Sequence, residues 1–146
     1  MLRAVIGGVF GLLSLVAAST GVHGQSVQET VRRYQLIGEW SANCAAPLKE
    51  AQRVKYMASP GGGITRRLIT EKFTKDMPVD FAGSIDSNRL DLRYVDDGHT
   101  IQLVIVFENG RHRTLESRND KGEIGVKDGI MQATGKETRW SERCGN

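Results

Sequence analysis

The stretch that decides the fold runs from Thr100 to Ser117, TIQLVIVFENGRHRTLES. Two extended segments flank Asn109-Gly110, the pair best suited to a two-residue type I′ turn, because both central positions of that turn need positive φ. Such a hairpin sets Arg111 opposite Glu108, His112 opposite Phe107 and Arg113 opposite Val106, with His99 facing Asp120. Thr100 to Phe107 is apolar at nearly every position. Both faces of that strand are therefore expected to be covered, one of them by an N-terminal helix or by a partner.

Outward from this hairpin the same period of two continues, broken by turn residues every eight to twelve positions. It places strands near 37–44, 53–59, 64–72, 79–85, 89–95, 100–108, 111–117, 123–127, 130–134 and 137–144. Ten is one or two more than a chain of this length is expected to pair. Turn signals lie at Pro60-Gly61-Gly62-Gly63, Asp86-Ser87-Asn88, Asp96-Asp97-Gly98, residues 119–122 and Asp128-Gly129. Strands joined so closely run antiparallel. The expected fold is therefore mainly β: an antiparallel up-and-down meander closed into a small barrel, which removes exposed edges, with a two-sheet sandwich as the second arrangement.

Trp40-Ser41-Ala42-Asn43-Cys44 is echoed by Trp140-Ser141-Glu142-Arg143-Cys144. Residues four apart on a strand share a face, so each Trp and its Cys are expected to point inward. The chain has two cysteines, and in an exported protein they most simply form one disulfide, Cys44–Cys144, laying the first strand beside the last; two buried free thiols are the other reading. The tryptophans are core residues at the seam or stacking surfaces for a ligand.

The N-terminus has the order of a signal peptide. Arg3 precedes an apolar run from Ala4 to Ala18, followed by small residues that suit cleavage after Ala18 or Gly24. The run is shorter than the roughly 20 residues of a spanning helix, so no stable membrane insertion is expected after cleavage, and the protein is expected in the periplasm or secreted. Removing residues 1–24 of the 146 leaves 122, enough for one core. Residues 25–37 then form a short helix, opened by a capping box at Ser26 and Glu29 and closed near Leu36 with Gly38 as its left-handed end; a mobile tail is the alternative. Residues 38–146 form the β domain.

The net charge is only +3, from 20 Lys+Arg and 17 Asp+Glu interleaved along the chain, which argues against a nucleic-acid binder. The chain shows no Gly-x-Ser-x-Gly, no His-Glu-x-x-His and no phosphate loop leading into a helix. The hairpin register puts His99 and His112 about 27 Å apart, too far to share a metal, and each is expected at the surface. No metal and no cofactor are expected. Arg111, His112 and Arg113 form a candidate anion or partner patch, or edge-strand charge that discourages aggregation.

Gly38-Glu39-Trp40, opening the first strand after a short helix, resembles the Gly-x-Trp start of the lipocalin and wider calycin barrels over about ten residues. The resemblance implies a Trp40 that plugs the closed end beneath an arginine of the last strand, Arg139 or Arg143. The first functional expectation is a small exported non-enzymatic barrel that binds a small apolar ligand in its interior or a protein partner at its rim. The alternative is an inhibitor of an envelope or secreted hydrolase, plugging its target with Met77-Pro78 or the Gly61–Gly63 tip. The third is an enzyme built on carboxylates such as Asp80, Asp86 or Asp91.

Overall fold

The computed structural model describes residues 26–145, so the signal peptide expected over residues 1–24 lies outside it. Helix α1 (Val27–Arg33) opens on Ser26, whose Oγ accepts a hydrogen bond from the Glu29 amide at 3.1 Å, as a capping box requires. It ends earlier than Leu36, and its left-handed residue is Gln35 (φ 54°) rather than Gly38. The Gln35 and Leu36 amides donate back to the carbonyls of Arg32 (2.9 Å) and Val31 (3.1 Å), and Val31 and Leu36 are both completely buried. This crossed pair of hydrogen bonds with its apolar contact ends the helix without glycine.

One antiparallel meander follows. Its strands are β1 (Gly38–Ser41), β2 (Arg53–Ala58), β3 (Ile64–Ile69), β4 (Thr74–Ser84), β5 (Arg89–Asp96), β6 (His99–Glu108), β7 (Arg111–Asn119), β8 (Ile124–Lys127), β9 (Ile130–Met131) and β10 (Glu142–Cys144). All ten predicted segments contain a strand. The turns follow their chemistry: both central residues have positive φ in Asp97-Gly98, Asn109-Gly110 and Asp128-Gly129. The Asn109-Gly110 hairpin pairs Glu108, Phe107 and Val106 with Arg111, His112 and Arg113, as expected, until a bulge between Val104 and Ile105 shifts the register.

The ten strands form one sheet in the order β10-β1-β2-β3-β4-β5-β6-β7-β8-β9. It is neither a two-sheet sandwich nor a closed barrel. Closure fails because the far edge of β7 is divided. Its end at Ser117 and Arg118 pairs with β8, while its start meets the approach to β10 at one isolated bridge. There the His112 amide donates to the Ser141 carbonyl at 3.1 Å and the Ser141 amide returns the bond at 2.8 Å. β10 itself is three residues long and pairs with β1.

The inward face carries Trp40, Tyr56, Ile64, Met77, Val79, Ala82, Leu90, Leu92, Leu103 and Ile105, all buried. Helix α1 covers one end of this core: the Tyr34 hydroxyl bonds Ser84 Oγ at 2.6 Å and also donates to the Asp86 carbonyl. The helix does not cover the outer face of β6. There Gln102, Val104 and Val106 are half-buried, and Gln102 and Val104 line a shallow groove with Ile124 and Val126 of β8. Among the described residues no helix is long and apolar enough to cross a membrane.

Candidate functional site

At the end away from α1, the β1–β2 connection, the β3–β4 turn and the approach to β10 surround a cavity of about 750 Å³. Strand pairing builds one side of it. Trp40 is in register with Val54, and Val54 with Leu68, so three apolar side chains stand side by side on the same face. Phe73 and Met131 add to the lining, and Phe73, about half exposed, stands on the turn at the entrance. Thr70, Thr138 and Ser141 supply hydroxyls, and Lys49, Glu50, Glu71, Lys72 and Arg139 place charges of both signs around it. The cavity's volume is that of a small-molecule site, and its lining mixes an apolar floor with a polar and charged rim.

The layer beneath is polar. The Trp40 indole donates to the Leu36 carbonyl at 2.8 Å, and the Arg143 guanidinium lies 4.5 Å above its ring. Arg143 also donates to the carbonyls of Gln35 and Ile37, so it clamps the end of the helix onto the tryptophan. Gly38, at φ 133°, leaves the space this needs, because a Cβ there would overlap Arg143 Nη1. The His112 ring meets Trp40 edge-on with centroids 4.6 Å apart, and Phe107 flanks it at 5.7 Å. Arg66 sits in register between Tyr56 and Met77, 4.7 Å over the Tyr94 ring.

Burial sets the electrostatics of this layer. His112 is held well below the usual histidine value, at about 4, because burial disfavours the imidazolium and because Arg66 and Arg143 repel it. Burial likewise pushes the Tyr94 hydroxyl up. Lys75 is held above its ordinary value by hydrogen bonds to Asp96 and Asp97. Two buried side-chain nitrogens in this layer, Arg66 Nε and His112 Nε2, have no hydrogen-bond partner among the described residues.

The expected disulfide is present, Cys44 to Cys144 with Cα atoms 5.3 Å apart. It does not point inward with Trp40. Cys144 pairs with Glu39, one step from the Trp40–Arg143 pair, and successive residues face opposite sides. Antiparallel pairing of β1 with β10 also separates the two tryptophans. Trp140 packs outside, half-buried, with the guanidinium carbons of Arg111 and Arg113 at 5.3 and 5.0 Å from its ring centre.

The expected Arg111-His112-Arg113 patch is therefore divided by strand alternation: the two arginines embrace Trp140, and His112 enters the core instead of lying at the surface. β7 is also no edge strand, since β6 and β8 flank it. His99 is exposed beside Asp120, with its Nδ1 at 3.3 Å. Met77-Pro78 is not a loop; it lies within β4, with Met77 buried. Asp80, Asp86 and Asp91 are bound by Arg93, Arg89 and Gln102 respectively. Among the described residues no three His, Cys, Asp or Glu side chains gather to hold a metal.

Arg66 is the residue that sequence reading missed. The signal was present: Ile64, Arg66 and Leu68 alternate with Thr65, Arg67 and Ile69, so one of the two adjacent arginines had to share the face of Ile64 and Leu68. No family model, no curated protein and no solved structure matches the chain.

Proposed function

We propose that this is a small exported, non-enzymatic β protein that binds an apolar small molecule in the cavity over Trp40, Val54 and Leu68. That cavity is the observation that carries the reading. In this view the meander acts as a barrel-like cup. The Cys44–Cys144 bond and the His112–Ser141 bridge draw its two margins together, and α1 stops its lower end. The arrangement of Gly38, Trp40 and Arg143 supports kinship with the lipocalin and calycin barrels, with Arg143 rather than Arg139 in the part of the covering arginine. The disulfide, together with the apolar run from Ala4 to Ala18, supports export to the periplasm or beyond.

Binding is favoured over catalysis because the residues considered as catalysts do not face the cavity: His112 is buried and neutral, and Asp80, Asp86 and Asp91 are held by Arg93, Arg89 and Gln102. The hydrolase-inhibitor reading loses one of its two plugs, since Met77 is buried within β4, and retains the Gly61–Gly63 tip. The test is binding of a fluorescent apolar dye to the disulfide-intact protein, followed by displacement with extracted lipids. Filling the cavity with Leu68→Trp is expected to weaken dye binding at least tenfold while the fold is retained. Equal binding by wild type and variant removes the cavity from consideration.

A further inference from the structure

We propose that residues 138–141, which close one wall of the cavity, form an acid-operated gate with His112 as its catch: a proton taken up by the buried ring parts His112 from Ser141 and lets this strip swing outward. The gate belongs to the wall and stands whether or not the cavity holds a ligand. Thr138, Arg139 and Ser141 all line the cavity, but they are fastened unevenly. At one end the Thr138 amide donates to the Gly129 carbonyl at 2.8 Å and its hydroxyl to the Thr114 carbonyl at 2.7 Å. At the other end β10 is bonded to β1, and Cys144 to Cys44. Between these anchors, among the described residues, one reciprocal pair of backbone bonds joins the strip to β7, that of His112 with Ser141.

The catch is a side chain poorly placed to carry a charge. His112 is only 8% exposed. Trp40 of β1 and Phe107 of β6 enclose its ring, and Tyr34 of α1 packs on Phe107. The charged groups that act on it are both cations, Arg66 of β3 and the exposed Arg143 of β10, with no carboxylate to counter them. On its own strand Arg111 and Arg113 turn to Trp140 on the outer side. Among the described residues His112 Nε2 is buried without a hydrogen-bond partner. An imidazolium carries a proton on both ring nitrogens, so charging the ring sets a donor where no acceptor stands, which is costly.

The ring escapes that cost by turning toward water, and the backbone that carries it is half of the bridge to Ser141. The ring titrates at about 4 in the closed wall and returns to its ordinary 6.5 once open. Below pH 6.5 the open form therefore binds more protons, and acid favours it by about 50-fold between pH 7 and pH 4.5. The disulfide limits the movement. It keeps β10 beside β1, so the strip bows out between two fixed ends and recloses when the proton leaves.

The test is amide hydrogen exchange on the disulfide-intact protein at pH 7 and pH 4.5, each rate divided by that of an unstructured chain at the same pH. In wild type the His112 and Ser141 amides are expected to lose about 50-fold in protection over this range, while remaining less protected at both pH values than Leu90 and Leu92 of β5, which has a strand on either side. In His112→Phe the seam amides are expected to keep their protection. If they lose it equally in wild type and variant, His112 is not the catch and the proposal is overturned. If in wild type they are as protected as Leu90 and Leu92 at both pH values, acid loosens the whole molecule and not the seam, and the gate is likewise overturned. Should His112→Phe fail to fold, His112→Gln, equally without a charge to gain, takes its place, and the wild-type contrast between seam and β5 still decides whether the wall opens by itself.

Discussion

Replacing His112 with phenylalanine isolates a single buried titration. In the folded protein the imidazole is packed between Trp40 and Phe107 and near two arginines, and it titrates at about 4 against an ordinary 6.5. The folded state holds it neutral, whereas the unfolded chain takes up a proton as the pH falls below 6.5. Over that range the unfolded state binds more protons, so stability is present above pH 6.5 and is lost progressively down to about pH 4. The gap between the two values corresponds to about 3 kcal/mol in all, of which about 2 kcal/mol falls between pH 7 and pH 4.5. The ring of Phe preserves the aromatic packing and removes the unpaired Nε2, so His112→Phe is expected to match or slightly exceed wild type at pH 7.

Urea unfolding at pH 7, 5.5 and 4.5 reads the difference directly. Wild type is expected to lose about 2 kcal/mol more than the variant across this range, with equal m-values. Asp76, Asp86 and Asp120 are held below the ordinary carboxylate value, mainly by hydrogen bonds from Arg67, from Arg89 and from the Thr100 amide respectively. Their contributions are lost at lower pH and are common to both proteins. Parallel pH profiles for wild type and His112→Phe would refute the burial argument, because the acid sensitivity would then have another source.

The disulfide closes a sequence separation of 100 residues, and replacing both cysteines with serine is expected to cost about 2–5 kcal/mol in urea unfolding. A double variant as stable as wild type would show that the β1–β10 pairing holds the termini unaided. Gly38→Ala combines a left-handed backbone with overlap onto Arg143, so a loss of more than about 1 kcal/mol is expected. The same variant should shift Trp40 fluorescence, as the guanidinium leaves the ring. Leu90→Ala empties a fully buried site and is expected to lower stability by about 2–5 kcal/mol in the same assay. A loss well under 1 kcal/mol would mean that the core collapses around it.

Much of the scaffold is legible because its determinants are local. Period-two alternation, Gly and Asp turns with positive φ, and the Asn109-Gly110 hairpin act over a few residues, so the strands and their antiparallel sense follow from neighbours in the chain. The cysteine pair is legible by count, since the chain has only two. The candidate site is different, since its members are far apart in sequence and which face each takes depends on register. Bulges between Val79 and Phe81 and between Val104 and Ile105 reset the alternation, and each resets which residues look inward.

By itself, then, the chain of residues determined a meander of short strands, its hairpin register and its single cross-link, because hydrogen-bond geometry and turn sterics operate between near neighbours. Only tertiary structure decided that His112 leaves its arginine neighbours for the core, that Trp140 stays outside between them and that Arg66 rather than Arg67 turns inward. It also decided that the sheet stops short of a continuous ring. These outcomes depend on how distant strands pair and on what space remains between their side chains, quantities that no local pattern contains.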